Sequence, residues 1–287
     1  MVFLEMQIPW WVKLSAKLAL ARLPLDYAAW RQLPIFKHGF MAEPEYAFTV
    51  FKRHFEAVEL PPDFVSLELG PGDSLFSALV SYSLGGSSSY LVDTGAYAIQ
   101  EVEPYRIMAQ FLRDQDLTVP DWEEDINLKT ILATTAAQYL TDGIHSLRKI
   151  PSESINFIWS NAVLEHIRRQ DFADFFQELR RVIKPNGVCS HEVDLRDHLG
   201  GGLNNLRFSS NWWEQDWVAN SGFYTNRIRY SKMLQVFAHS GFRVVDHKIL
   251  STWDQQPIVR EKMAPEFRDF SDEDLKVSVF SVVLEPI

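Results

Sequence analysis

Cysteine and long apolar runs are almost absent from this sequence. Its 287 residues include one cysteine, Cys189, which lies within an apolar stretch. No disulfide can form within the chain, so we expect a protein of the reducing cytoplasm in which Cys189 is a small core residue. No run reaches the roughly 18 apolar residues of a membrane-spanning helix. The N-terminal residues have no basic leader or small-residue cleavage site, so we expect no signal peptide.

Basic residues are also in short supply. The chain has 28 Lys and Arg against 38 Asp and Glu, which gives a net charge of −10. Binding along a nucleic-acid backbone requires a basic face, so we expect no nucleic-acid partner. The apolar fraction of 46% is ordinary for a globular protein, and the length allows one large domain or a core with a helical appendage.

A glycine-rich turn lacks the third glycine of nicotinamide-binding proteins. Residues 65–73 read V-S-L-E-L-G-P-G-D, an apolar strand that ends at Gly70 and Gly72 and is followed by a helical pattern. Such a turn brings the backbone close to a nucleotide-like ligand. The position of the third glycine is Leu75, so a nicotinamide-dependent oxidoreductase is a disfavoured alternative. A second apolar run ends at Asp93, a position typical of a carboxylate that holds a ribose diol.

After Pro61-Pro62 apolar strands alternate with helical patterns, which indicates a mostly parallel α/β sheet. The predicted strands are Phe64–Leu69, Tyr90–Asp93, Ala137–Leu140, Ile155–Ser160, Val188–Val193, Phe242–Val245 and Val277–Leu284, and the end of the sixth is left open beyond Val245. Helices are predicted at Ser74–Leu84, Asp171–Ile183 and Ser231–His239, and a sharp turn at Lys184–Gly187. We therefore predict a helical extension or lid over residues 1–62 and an α/β domain over residues 63–287. A long insertion covers residues 196–230.

The N-terminal extension contains two helical patterns. Residues 8–33 combine tryptophans and leucines with Lys and Arg, and Pro24 divides the pattern into two pieces. This composition fits a helix that packs on the core or covers a site. It also fits an interfacial helix in peripheral contact with a membrane. Residues 42–58 form the second pattern, with apolar residues at helical spacing.

The order of the motifs resembles that of class I S-adenosylmethionine-dependent methyltransferases, of the type 11-like group with motifs similar to quinone-biosynthesis enzymes. The segments that carry the resemblance are L-E-L-G-P-G-D-S, L-V-D, Y-L-T-D-G-I, S-I-N-F-I-W-S-N-A-V-L-E-H-I, E-L-R-R-V-I-K-P-N-G and A-H-S-G-F-R-V-V. They occur in this order over residues 63–195 and 231–287. The resemblance implies a Rossmann-like sheet of seven strands with an antiparallel last strand. It also implies S-adenosylmethionine as cofactor and a small-molecule acceptor.

The resemblance also implies which residues bind the cofactor. Backbone amides at the glycines would approach the methionine part, and the start of the next helix would favour its carboxylate. Glu68 would hold the ammonium group or cap the loop amides, and Asp93 would accept both ribose hydroxyls. Asp142 and its neighbours would line the adenine, and Asn161 would lie near the sulfonium. The predicted set is Glu68, Gly70, Gly72, Asp73, Ser74, Asp93, Asp142, Gly143, Ile144 and Asn161.

Two titratable clusters are candidates for catalysis. Glu165 and His166 follow the fourth strand, where some similar quinone-biosynthesis methyltransferases bind a divalent metal with a third ligand three residues earlier. That position is Ala162 here, so we expect no metal, and His166 is either a general base or a structural histidine. The second cluster, H-E-V-D-L-R-D-H, ends the fifth strand, and its composition suits acid–base catalysis, a metal or a salt-bridged loop. Within it His191 and Asp194 are the candidates, and alternation places them on opposite faces.

The insertion is placed to cover the acceptor. Its Asn204, Asn205 and Arg207 can bond hydroxyls or a phosphate, and Trp212 and Trp213 can stack on a ring. This mixture fits a polar or sugar-like acceptor, and equally a folded surface loop. The leading hypothesis is methyl transfer to a hydroxyl oxygen. The alternative from another class is a noncatalytic module that binds S-adenosylmethionine with the same fold.

Overall fold

A seven-stranded sheet forms the centre of the computed structural model, which describes residues 9–20, 40–122 and 126–287. The strands are β1 (Val65–Leu69), β2 (Ser88–Val92), β3 (Ala137–Leu140), β4 (Ile155–Asn161), β5 (Ile183–Asp194), β6 (Phe242–Thr252) and β7 (Val277–Pro286). Their order is β3-β2-β1-β4-β5-β7-β6. Neighbours among β1 to β5 are parallel, and β7 is antiparallel to both β5 and β6. The predicted Rossmann-like sheet with an antiparallel last strand is confirmed.

Helices cover both faces of this sheet. They are α1 (Trp10–Leu20), α2 (Pro44–Glu56), α3 (Phe76–Ser83), α4 (Glu103–Asp114), α5 (Leu128–Thr134), α6 (Gly143–Leu147), α7 (Phe172–Val182), α8 (Ser210–Trp213), α9 (Asp216–Ala219), α10 (Tyr230–His239) and α11 (Asp272–Lys276). Short 3₁₀ helices occur at Leu164–His166, Asn204–Arg207, Arg260–Lys262 and Pro265–Phe267. The predicted helices of the α/β domain therefore form, with ends shifted by one or two residues.

Two apolar layers lie on opposite sides of the sheet. One contains the buried face of α7 and α10, with Phe176 and Phe237 at its centre. The other contains α2, α3 and α4 and is built around Phe51 and Trp159. The central strands β1 and β4 are largely buried on both faces, and their sequences are mostly apolar, with Ser66 and Glu68 as buried polar residues of β1. Cys189 is fully buried in the first layer, and burial raises the pKa of its thiol.

The fifth strand begins earlier than predicted, and the sixth is the longer of the two forms that the sequence allowed. The predicted turn at Lys184–Gly187 lies within β5, because Ile183 already pairs with Ile155 and a register shift keeps the strand paired on both sides of it. β6 runs to Thr252 although its sequence becomes polar after Val245. Pairing with β7 continues to that point, and an edge strand can expose its side chains to water.

The first helix packs on the insertion. Leu14 is buried there, and the ring centroid of Trp10 lies 6.1 Å from that of Phe208. The guanidinium of Arg207 lies 5.2 Å from the centroid of the Trp10 ring, whereas Trp11 on the outer face is 58% exposed. None of the helices within the described ranges is long and apolar enough to cross a membrane. The second predicted piece, after Pro24, lies outside the described residues.

Buried arginines attach the insertion to the rest of the domain. Arg229 is fully buried and donates to the backbone oxygens of Asp274 and Val277, both at 2.7 Å. The guanidinium of Arg227 lies between the rings of Trp213 and Phe267, at 5.1 and 4.9 Å from their centroids. Burial lowers the pKa of both arginines to about 10, which leaves them charged at neutral pH. The insertion is therefore an integral layer over the sheet edge.

Candidate active site

The backbone of the turn after β1 favours glycine at two positions. Gly70 and Gly72 both have φ of +66°, in the left-handed region that side chains disfavour. The amide of Gly70 donates to the oxygen of Val92 at 2.8 Å, which holds the turn against β2. A Cβ atom at Gly70 would lie 2.6 Å from the side chain of Val163, whereas one at Gly72 would meet no described atom within 4 Å. The turn is therefore closed at Gly70 and open at Gly72.

Asp93 connects three of the predicted segments. Its carboxylate accepts hydrogen bonds from the amides of Gly72 and Thr94, at 3.1 and 2.7 Å. Its backbone amide donates to Leu140 and its backbone oxygen accepts from Gly143. Burial raises the pKa of Asp93, and the hydrogen bonds to its carboxylate oppose that shift. Each carboxylate oxygen still has a lone pair for a further donor.

Glu68, Asp73 and Ser74 are buried beneath the turn. The carboxyl of Glu68 accepts from the hydroxyl of Ser77 in the first turn of α3, and the hydroxyl of Ser74 donates to the backbone oxygen of Met41. The backbone oxygen of Asp73 accepts from Ile99 at 2.9 Å. Burial raises the pKa of Glu68 to about 8, so its side chain is mostly uncharged at neutral pH. These buried hydrogen bonds stabilise the conformation of the glycine turn.

Replacing Glu68 by glutamine is expected to remove a pH dependence of stability. Because the pKa of Glu68 is raised in the folded state, folding binds a proton, and that stabilisation is lost as the pH rises from the ordinary value to about 8. Relative to Glu68→Gln, the wild type should lose at most about 4 kcal/mol of unfolding free energy between about pH 5 and about pH 8. Urea unfolding at several pH values measures this difference. A difference that is constant with pH would contradict the assignment.

The predicted adenine segment begins α6. The amide of Gly143 is bound to Asp93, and Ile144 packs against the core. The side chain of Asp142 is exposed and lies 3.4 Å from Lys149, and its amide donates to the hydroxyl of Ser146. The backbone of this segment is therefore joined to the glycine turn, whereas the Asp142 carboxylate faces solvent.

Arg53 of α2 closes over the carboxyl ends of β4 and β5. Its guanidinium donates to the side-chain oxygen of Asn161 at 2.7 Å and lies 3.0 Å from the carboxylate of Glu192. The next residue, His54, is buried against Trp159 and bonds Ser190 at 2.8 Å. Neither basic residue of α2 was among the predicted site residues, because on an amphipathic helix they look like an ordinary polar face.

The predicted catalytic residues occupy different environments. His191 is fully buried, and its Nδ1 bonds the Ser160 hydroxyl at 2.8 Å; burial lowers its pKa to about 3. Asp194 lies at the rim and binds Arg196 with both carboxylate oxygens. Glu165 is 1% exposed, and neither oxygen of its carboxyl has a hydrogen-bond partner within the described ranges. Burial raises the pKa of Glu165 well above its ordinary value, which favours the uncharged acid.

A histidine pair lies where β4, β5 and the insertion meet. The side chain of His166 is exposed, and its Nδ1 lies 3.0 Å from the backbone oxygen of Tyr224 in the insertion. Its Nε2 lies 3.2 Å from Nε2 of His198, and the two ring planes differ by only 8°. His198 ends the predicted second cluster but was not itself a predicted catalytic residue. The structure therefore joins the two predicted clusters through His166 and His198, not through His191.

The polar residues of the insertion contact one another. Asn205 is buried and donates to the hydroxyl of Thr225 at 2.9 Å, and Arg207 donates to Asn204. The indole nitrogen of Trp213 donates to the backbone oxygen of Thr225, and Trp212 stacks on Phe208. These contacts stabilise the conformation of the insertion. In the described part of the chain, no group of three or more His, Cys, Asp or Glu is arranged to hold a metal ion.

A separate groove of about 890 Å³ lies between α7, α10 and residues 266–274. Phe172, Lys232 and Phe270 are among its lining residues, and none of the predicted site residues contributes to it. The groove is therefore distinct from the glycine turn and from the histidine pair.

Comparison with known proteins identifies the family. The family model for the methyltransferase domain matches residues 44–247. No curated protein sequence matches the chain significantly. A putative S-adenosylmethionine-dependent methyltransferase from Listeria monocytogenes is 14% identical over 86% of this chain and 98% of its own, with a TM-score of 0.45. Geranyl diphosphate C-methyltransferase from Streptomyces coelicolor is 12% identical over 92% of this chain and 89% of its own, with a TM-score of 0.47. Likeness at this level says nothing about the acceptor.

The family match covers more than half of the chain and includes the glycine turn, Asp93 and the histidine at the end of β4. The seven strands and the antiparallel β7 are what the motif resemblance implied, and the structure adds that β7 lies between β5 and β6. The chain therefore belongs to the methyltransferase domain family and is a class I S-adenosylmethionine-dependent methyltransferase.

Proposed function

We propose that this methyltransferase transfers the methyl group to a hydroxyl oxygen of a small polar acceptor. The histidine pair of His166 and His198, at the carboxyl edge of the sheet, supports a hydroxyl group as the methyl acceptor. An alcohol must lose a proton as its oxygen is methylated, so a histidine near the acceptor has a purpose in that reaction. Arg53, Asn161 and Glu192 supply donors and acceptors at the same edge, which suits a polar molecule.

For the cofactor we propose a position across the ends of β1, β2 and β4. The methionine part would lie on the open side of the turn at Gly72, with the ammonium group directed toward Glu68. The ribose would bind Asp93, the adenine would lie along Asp142–Ile144, and the sulfonium would lie near Asn161. Support comes from the hydrogen bonds through which Asp93 joins the turn to the start of α6. Ligands of open α/β sheets bind at this edge.

Methyl transfer is an in-line displacement on a carbon that the sulfonium has already made electrophilic. The protein contributes by aligning the acceptor oxygen with the methyl group and by excluding water. Packing of α1 on the insertion provides such a cover. We assign His191 a positioning role, because its bond to Ser160 orients the end of β4 beneath Asn161. Asp194 would hold Arg196 at the rim, and neutral Glu165 would support the 3₁₀ turn that carries His166.

Two measurements test this function in sequence. Calorimetry with S-adenosylhomocysteine should show one-site binding to the wild type. Incubation with S-adenosylmethionine and a set of hydroxylated metabolites, glycosides included, should then yield a product that gains one methyl group on oxygen by tandem mass spectrometry. Binding without turnover on any acceptor would favour the noncatalytic module. Methylation confined to nitrogen or carbon would contradict the hydroxyl proposal and leave the cofactor assignment intact.

A further inference from the structure

The contacts of His166 fix which of its nitrogens carries a proton. Nδ1 of His166 lies 3.0 Å from the backbone oxygen of Tyr224, and a carbonyl oxygen can only accept a hydrogen bond. Nδ1 is therefore protonated in the neutral ring, and Nε2 holds the lone pair. At 3.2 Å from that lone pair, Nε2 of His198 must be the donor. The pair thus has one defined arrangement of protons, set by the insertion backbone.

With the protons arranged in this way, His198 is the histidine of the pair that can take a proton from the methyl acceptor. Both ring nitrogens of His166 are engaged, so His166 cannot take a proton directly from an acceptor without breaking a contact. Nδ1 of His198 holds a lone pair and has no hydrogen bond to any residue in the described ranges. His198 lies near the start of the insertion, shortly after β5 ends at Asp194, and the next residue, Leu199, packs in the same cluster as Leu14 of α1. Nδ1 of His198 is therefore the atom of the pair that can receive the first proton from an acceptor.

We propose, building on the hydroxyl-directed transfer described above, that His198 and His166 form a proton relay for the methyl acceptor. The acceptor oxygen forms its bond to the methyl carbon while the carbon–sulfur bond breaks and its electron pair stays on sulfur. The hydroxyl proton moves to Nδ1 of His198, and the proton on Nε2 of His198 moves to Nε2 of His166. The positive charge then rests on His166, where the Tyr224 oxygen accepts from Nδ1. His198 is the catalytic residue of this relay, and His166 acts through it.

The surroundings of the pair favour this direction of transfer. Lys17 from α1, Arg196 and Asp194 from the end of β5, and His166 itself are the charged or titratable groups that act on His198. Burial, with smaller contributions from His166, Lys17 and Arg196, lowers the pKa of His198 to about 4, and Asp194 opposes the shift. His198 is thus neutral at physiological pH. The side chain of His166 is exposed, so water can solvate a positive charge on its ring.

The proton arrangement can be tested without knowing the acceptor. Long-range proton–nitrogen NMR of uniformly ¹⁵N-labelled, full-length protein at about pH 8 distinguishes the two neutral histidine tautomers. We expect the Nδ1–H form for His166 and the Nε2–H form for His198, assigned with the variants His166→Asn and His198→Gln. The Nδ1–H form at His198 would overturn the relay. Coordination of added Zn²⁺ by both rings would also overturn it, because the pair would then be a metal site.

Activity separates a catalytic from a positioning role for His198. His198→Gln keeps an N–H donor near the position of Nε2 but cannot accept and pass on a proton. With an acceptor found in the hydroxylated set, we expect kcat to fall by about 100-fold to 10,000-fold. The affinity for S-adenosylhomocysteine should not change. Unchanged kcat in His198→Gln would show that His198 only orients His166. His239→Gln, on the exposed end of α10, is the matched control and should behave like the wild type.

Different results would contradict the cofactor assignment and the proton relay. Absence of S-adenosylhomocysteine binding by the wild type would remove the cofactor assignment. A wrong tautomer, or normal kcat in His198→Gln with normal binding, would remove the relay alone.

Discussion

Replacing Asp93 by alanine is expected to weaken S-adenosylhomocysteine binding by at least about 100-fold. The carboxylate already holds the turn through the amide of Gly72, and it has lone pairs for two ribose hydroxyls. Hydrogen bonds to a charged group contribute about 1.5–3 kcal/mol each, so the loss of two such bonds exceeds the roughly 2.8 kcal/mol of a 100-fold change. Calorimetry on the wild type and the variant measures the difference.

Controls separate this effect from unfolding and from charge. Asp93→Ala also removes the bonds from the Gly72 and Thr94 amides, so we expect a loss of about 3 kcal/mol of unfolding free energy in urea, which leaves a domain of ordinary stability folded. Asp114→Ala removes one negative charge at the exposed end of α4 and should bind as the wild type does. If Asp93→Ala and the wild type bound the ligand equally well, the ribose assignment would be wrong.

The cofactor side of the fold could be predicted because its signals are local. A strand, two glycines and a helix follow one another within residues 65–83, and the sequence alone places the turn at the strand end. Parallel strands then bring Asp93 and Gly143 to the same edge, since the carboxyl ends of β1, β2 and β3 lie side by side. Residue type and strand order therefore suffice to place these groups near one another.

The acceptor side depends on contacts that the sequence does not encode locally. Arg53 meets Asn161 across 108 positions, and His198 meets His166 across 32. Strand alternation separates His191 from Asp194, but only packing against Phe176 shows that His191 is fully buried. The insertion adds the Tyr224 oxygen that orients His166. The family assignment also removes the support for the oxidoreductase alternative, which the missing glycine at Leu75 had already disfavoured.

Alanine at the two glycines of the turn should lower stability by different amounts. Gly70→Ala forces a methyl group to within 2.6 Å of Val163 on a backbone of φ +66°. Strain and overpacking together should cost about 3 kcal/mol of unfolding free energy. Gly72→Ala has the same φ but open space, so the strain alone should cost about 1 kcal/mol. Urea unfolding of the two variants without ligand gives this ranking, and equal losses would contradict the closed side at Gly70.

For ligand affinity, in contrast to stability, the larger effect of the two alanine substitutions should be at Gly72. A methyl group at Gly72 occupies the open side of the turn, where we place the methionine part. S-adenosylhomocysteine affinity should therefore fall by at least about 10-fold, or about 1.4 kcal/mol, in Gly72→Ala. Gly85→Ala is the matched control, because Gly85 has φ of +89° and open space at the end of α3. It should show a similar loss of stability with unchanged affinity. Wild-type affinity in Gly72→Ala would mean that the ligand does not approach this part of the turn, whatever the cost in stability.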